Sequence, residues 1–104
     1  MVKITIRKFK KLKLPINYVK ASRARRAQAR LQYIVEQEGL CYYCESDIEE
    51  KPPQWVRNKP LTRGNYPKHF FTHPIHLHHS HETDFTIGAT HAYCNAVLFE
   101  YHGE

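Results

Sequence analysis

The sequence predicts a small α+β domain, and three observations predict it. Val2, Ile4 and Ile6 alternate with Lys3, Thr5 and Arg7, the period of a half-buried strand. Ala24, Ala27, Leu31, Ile34 and Val35 recur at the spacing of one helix face. From Pro74 to His102 the pattern reads as strand, turn, strand and helix. At 104 residues the chain suffices for one small domain and not for two. A chain this short buries a modest fraction of its surface, so a metal site is an expected supplement to its core.

The elements follow in order. After the strand at 2–6, Pro15 and Asn17 interrupt the chain. Ser22 is a good N-cap, which predicts a helix running to about Glu38 with Gly39 as its stop. Residues 45–74 hold five of the six prolines, a density that predicts an extended loop. In that stretch Trp55, Tyr66, Phe70 and Phe71 interleave with Arg57, Lys59, Arg63 and Lys68. Such aromatics either pin a long loop to a small core or stack on bases while the cations hold phosphates. Further on, "PIHLHH" places Ile75 and Leu77 on one strand face and His76 and His78 on the other. "SHETD" is the turn, "FTIGA" the returning strand, "HAYC" a knuckle and "NAVLFEYH" a short helix.

Charge is divided unevenly. Residues 1–35 contain eleven Lys and Arg and no acid, whereas residues 36–104 carry five cations against ten acids. A one-sided basic segment suits a polyanion, and nucleic acid binds such segments largely through counterion release. Lys8, Lys10, Lys11 and Lys13, with Arg23, Arg26 and Arg30 on one helix face, are the candidate phosphate contacts. No apolar run approaches the ~20 residues that span a bilayer. Charge also interrupts "MVKITIRKFKKLKL" too often for a signal-peptide core, so a cytoplasmic setting without membrane attachment is expected. Thiols stay reduced there, and three cysteines read as metal ligands before disulfides.

Cys41-x-x-Cys44 and His91-x-x-Cys94 supply three thiolates and an imidazole at two-residue gaps. That is the ligand set of a closed, structural tetrahedral Zn2+ site, with Zn–S near ~2.3 Å. The remaining histidines frame a second site. His78 and His79 are adjacent and point to opposite faces of a strand, so they can divide labour. If the hairpin packs on the last helix, His78 meets Asn95.

The residues "IHLHHSHETD" and "HAYCN", with the "CYYC" knuckle, resemble the HNH, or His-Me finger, endonucleases. The resemblance is to the zinc-stapled, recombination endonuclease VII-like branch, with its paired knuckles, a stretch such as "LHVDHDHETG" and an Asn after the last Cys. It covers residues 41–104, which would form a zinc-stapled ββα-metal nuclease core; residues 1–40 would be a basic, DNA-contacting extension. The resemblance implies phosphodiester hydrolysis of DNA, duplex or branched, in a bacterial or phage-infected cell, by a monomer or homodimer. It assigns zinc to Cys41, Cys44, His91 and Cys94, and a catalytic Mg2+ or Mn2+ to His78 and Asn95. His79 becomes the general base and His81 a phosphate or transition-state contact. His102, seven residues after Asn95, falls near its helix face and is a further phosphate candidate. The chain departs from the family at His78 for an Asp, His91 for a Cys, Asp84 and Glu45 for glycines, and Thr86 for an Asn. An ordinary imidazole with pKa near ~6.5 can act as base at neutral pH and would fail below about pH 6. The alternative is a zinc-stapled nucleic-acid-binding module without catalysis. His76 reads as an exposed strand residue, and His69 and His73 as loop residues.

Overall fold

A computed structural model describes residues 11–62, 66–67 and 69–103. The expected strand at 2–6, Lys8, Lys10, Arg63 and Lys68 lie outside the described residues. The order is α1 (Arg23–Glu36), α2 (Gln54–Arg57), β1 (Ile75–His79), β2 (Thr86–His91) and α3 (Ala92–His102). Ser22 caps α1 as expected, its Oγ accepting from the Arg25 amide at 3.2 Å. The helix closes at Glu36; the chain then turns left-handed at Glu38 and Gly39, and the Gly39 amide donates to Ile34 O at 2.8 Å.

The buried face of α1 is not the apolar stripe read from the sequence. Ala29, Gln32 and Ile34 are buried, while Ala24 is exposed and Val35 is 39% exposed. Gln32 takes a core position because its amide is satisfied: Oε1 accepts from Leu12 N at 2.9 Å and Nε2 donates to Leu12 O at 2.8 Å. The chain leading into α1 therefore covers this face. It continues beside the hairpin, where Thr86 N donates to Ile16 O at 3.0 Å and Tyr18 N to Asp84 O at 2.8 Å.

The proline-rich stretch is not wholly extended, since α2 interrupts it and buries Val56. The rest is pinned by side chains of α3. Tyr93 Oη donates to Lys59 O at 2.5 Å and Tyr101 Oη to Pro60 O at 2.6 Å. Buried Glu100 accepts from Thr62 N at 2.9 Å and from Tyr66 Oη at 2.7 Å. Tyr66, Phe70 and Phe71 pack on one another. Tyr66 and Phe70 thus help pin the loop, whereas Trp55 and Phe71 are exposed.

The sheet has two antiparallel strands. His78 stands opposite Gly88 and His79 opposite Thr86, which leaves Ile87 as a bulge. A bulge bends its strand and re-aims neighbouring side chains. The turn holds Asp84 at φ 67°, and Ser80 Oγ accepts from the amides of Glu82 and Thr83 at 3.2 Å each. Helix α3 begins three residues earlier than the sequence suggested. His91 is its N-cap and Ala92 its first residue, so Cys94 and Asn95 lie in the first turn. One packed cluster of the core joins Ile34, Ile48, Val56, Ala89 and Val97 to Cys41 and Cys94, and Ala29, Leu77, Ala92, Ala96 and Leu98 are buried besides. Both cysteines thus lie inside the apolar interior. Among the described residues, no helix is long and apolar enough to cross a membrane.

Candidate functional site

The first cluster joins the turn after α1 to the start of α3. Cys41, Cys44, His91 and Cys94 each offer one ligand atom, and these atoms all lie within 4.8 Å of one another. His91 Nδ1 is 3.4 Å from Cys44 Sγ and 3.6 Å from Cys94 Sγ. A tetrahedral ion with sulfur at about 2.3 Å and nitrogen at about 2.0–2.1 Å separates such a pair by about 3.6 Å. The four residues could hold a zinc ion. His91 Nε2 donates to Asp47 O at 3.0 Å, which keeps the proton there and leaves Nδ1 bare toward the sulfurs. The His91 amide points at Cys41 Sγ at 3.5 Å. Beyond Cys44 the chain reverses through Glu45 at φ 60°.

Charge explains why these atoms suit a cation. Cys41 is held down to about 3 by a hydrogen bond from the Cys94 thiol, against the opposing effect of burial. The same hydrogen bond to Cys41, with burial, drives Cys94 far up. Burial first, then the neighbouring Cys41 charge, raises Cys44. For His91, burial favours the neutral ring but the bond to Cys41 and its charge outweigh it, so the net shift is upward. Unaided, the cluster tolerates one negative charge; three thiolates need a dication.

Packing ties this cluster to the hairpin. Tyr42 N donates to Ala89 O at 2.9 Å. A Cβ on Gly88 would lie 2.7 Å from Gln37 Oε1 and 3.1 Å from Tyr42 Cβ, so the knuckle approaches β2 where no side chain intervenes. Gly88 is also the partner of His78 across the sheet.

The second cluster lies where β1 meets α3. His78 Nδ1 and Asn95 Oδ1 are 3.0 Å apart, the meeting expected if the hairpin packs on the helix. His78 is only 1% exposed. His76 is not the exposed residue the sequence suggested. It is half-buried, accepts from Asn95 Nδ2 at 3.1 Å and donates through Nε2 to Phe70 O at 2.7 Å. Burial lowers its pKa and favours the neutral ring. The missed signal was the alternation itself, which sets His76 and His78 on one face.

His79 lies flat against Tyr18, ring centroids 3.9 Å apart and planes 6° from parallel. The Arg26 guanidinium covers the same Tyr18 ring, 4.0 Å from its centroid. No local pattern marks Tyr18; the pairing of residues 16–18 with the hairpin brings it there. Burial, then the charges of His81 and His78, holds His79 down to about 4, with Asp84 opposing and Arg26 adding to the fall. His81 is exposed, its ring 5.0 Å from that of His79. Thr86, opposite His79, is buried; its Oγ1 accepts from Ile16 N at 3.0 Å and pairs with Tyr33 Oη at 2.9 Å. His102 is exposed, its Nε2 3.1 Å from Tyr43 Oη on the Cys41–Cys44 knuckle. Lys11, Lys13 and Arg23 are exposed, Arg26 and Arg30 half-buried. In comparisons with known proteins, no family model, no curated protein and no solved structure matches this chain.

Proposed function

We propose that this chain is a metal-dependent DNA endonuclease of the His-Me finger type, with a ββα-metal core stapled by a structural zinc. The observation that carries the reading is the meeting of His78 Nδ1 and Asn95 Oδ1 at 3.0 Å, with His79 next along the strand. Backbone conformation adds independent support. Glycine is usual in that family at the positions of Glu45 and Asp84, and here both have positive φ, 60° and 67°. L-residues avoid that region and glycine does not. Sharing histidines alone would give no reason for the backbone to bend left-handed at those two places.

In this reading Cys41, Cys44, His91 and Cys94 would hold the zinc, and the facing His78 nitrogen and Asn95 oxygen would hold Mg2+ or Mn2+. That ion would supply positive charge against the phosphate and the departing 3′ oxygen. Held down to about 4, His79 is unprotonated at neutral pH and takes the proton from the attacking water. Tyr18 limits the tilt of its ring, and exposed His81 stands beside it to meet phosphate. The basic segment, with Lys11, Lys13, Arg23, Arg26 and Arg30 among the described residues, follows the DNA backbone.

The test is nicking of supercoiled plasmid by zinc-loaded protein with Mg2+ or Mn2+. His79→Ala should lose about 10²–10⁴ in rate while keeping zinc and DNA binding. Lack of nicking by wild type with either ion, or full activity in His79→Ala, overturns the reading. The second reading is a zinc-stapled nucleic-acid-binding module, which the near-complete burial of His78 favours. It gives duplex binding without nicking.

A further inference from the structure

We propose that His76 is a positioning residue that sets which end of the Asn95 amide faces His78. The inference rests on the reading of His78 and Asn95 as ligands of a second ion. An asparagine side chain has an oxygen end and an NH2 end, and only the oxygen can serve a hard cation. The helix carrying Asn95 does not choose between them. A chain of three groups does.

Phe70 O can only accept, so His76 Nε2, 2.7 Å away, carries the proton. A neutral imidazole with its proton on Nε2 has a bare Nδ1. That lone pair takes a hydrogen from Asn95 Nδ2 at 3.1 Å, which leaves Oδ1 facing His78 Nδ1 at 3.0 Å. A flipped amide would set Oδ1 against the His76 lone pair and NH2 where the cation is needed. The direction is thus imposed from Phe70 onward. Phe70 is itself held: its amide donates to Pro67 O at 2.9 Å, and its ring lies 4.8 Å from Tyr66 and meets the His76 ring edge-on at 4.5 Å. The proline-rich loop thereby acquires a role, which is to hold one carbonyl where it orients a ligand of α3. Residues that orient a metal ligand commonly contribute about 10–100-fold to affinity.

Two measurements test this. In zinc-loaded wild type, 15N NMR of the His76 ring should show the Nε2–H tautomer; the Nδ1–H tautomer overturns the proposal. Mn2+ affinity, read by electron paramagnetic resonance, should fall about 10–100-fold in His76→Phe with zinc content unchanged, because Phe keeps the ring packing but not the lone pair. A carboxylate has two equivalent oxygens and nothing to orient. In an Asn95→Asp background, His76→Phe should therefore cost less than about threefold. An equal loss in both backgrounds shows that His76 acts through packing and overturns the proposal. Absence of Mn2+ binding in wild type, with the Nε2–H tautomer present, instead removes the second-ion reading and supports the orienting chain.

Discussion

Removing zinc should unfold this protein. Of the seven buried residues packed into one cluster, Cys41 and Cys94 are two, beside Ile34, Ile48, Val56, Ala89 and Val97. A small domain is stable by about 5–15 kcal/mol. Zinc binding by a Cys/His site contributes about 10–16 kcal/mol at neutral pH, comparable to or larger than the whole. The ligands also join the turn after α1 to the first turn of α3, so the loss is felt across the core. Cys94→Ser removes a fully buried ligand atom and should have the same outcome as chelation. Zinc must displace protons from its thiol ligands, so its affinity should fall as pH falls, which calorimetry at several pH values reads. Elemental analysis of protein purified without added metal should give about one zinc per chain. Chelated protein that keeps its far-ultraviolet dichroism and unfolds cooperatively would refute the reasoning.

Glu45→Gly relieves a left-handed strain of about 1–2 kcal/mol at the cost of about 0.5–1 kcal/mol of glycine entropy, so thermal unfolding should show a gain of about 0.5–1 kcal/mol. Asp84→Gly should gain less, since Asp tolerates that conformation better. Gly88→Ala should destabilise by about 1–3 kcal/mol in urea unfolding: Gln37 cannot yield without losing its bonds to Leu40 O and to both backbone groups of Ala89. The nicking rate should stay level from neutral pH to about pH 5 and fall through about 4, not through about 6 as an ordinary imidazole would, because burial depresses His79. The sign for stability is the same: the contribution from His79 is full above the unfolded value near ~6.5 and is lost as pH falls to the folded value. Duplex affinity should fall steeply with salt, and Arg23→Ala should make the log–log slope shallower by about 1.

What the sequence made legible is what depends on short spacing. Two x-x pairs place four ligands around one point whatever the rest of the chain does, and the cluster forms as expected. Ser22 caps its helix through a bond three residues on. The meeting of His78 with Asn95 needed one assumption about packing, and the knuckle supplied it by tying the end of β2 to α3. The unread features depend on pairings that leave no periodic mark. Gln32 is buried because residue 12 supplies both of its partners. Tyr18 reaches His79 because residues 16–18 line up beside the hairpin. His76 is half-buried because a loop carbonyl awaits its ring.

Those distant pairings turn two adjacent histidines into different chemical groups. Alternation alone gives His78 and His79 opposite directions and equivalent chemistry. Packing of α3 on one side buries His78 against an amide oxygen, where a ring nitrogen is best used as a fixed donor or a ligand. The slip in register then sets His79 opposite Thr86, and Thr86 anchors the segment whose Tyr18 lies on the His79 ring. His79 is left half-buried and hard to protonate, which are the properties of a base that stays neutral while holding its position. The division of labour therefore comes from the helix on one side and the N-terminal segment on the other, and losing either should make the two histidines alike again.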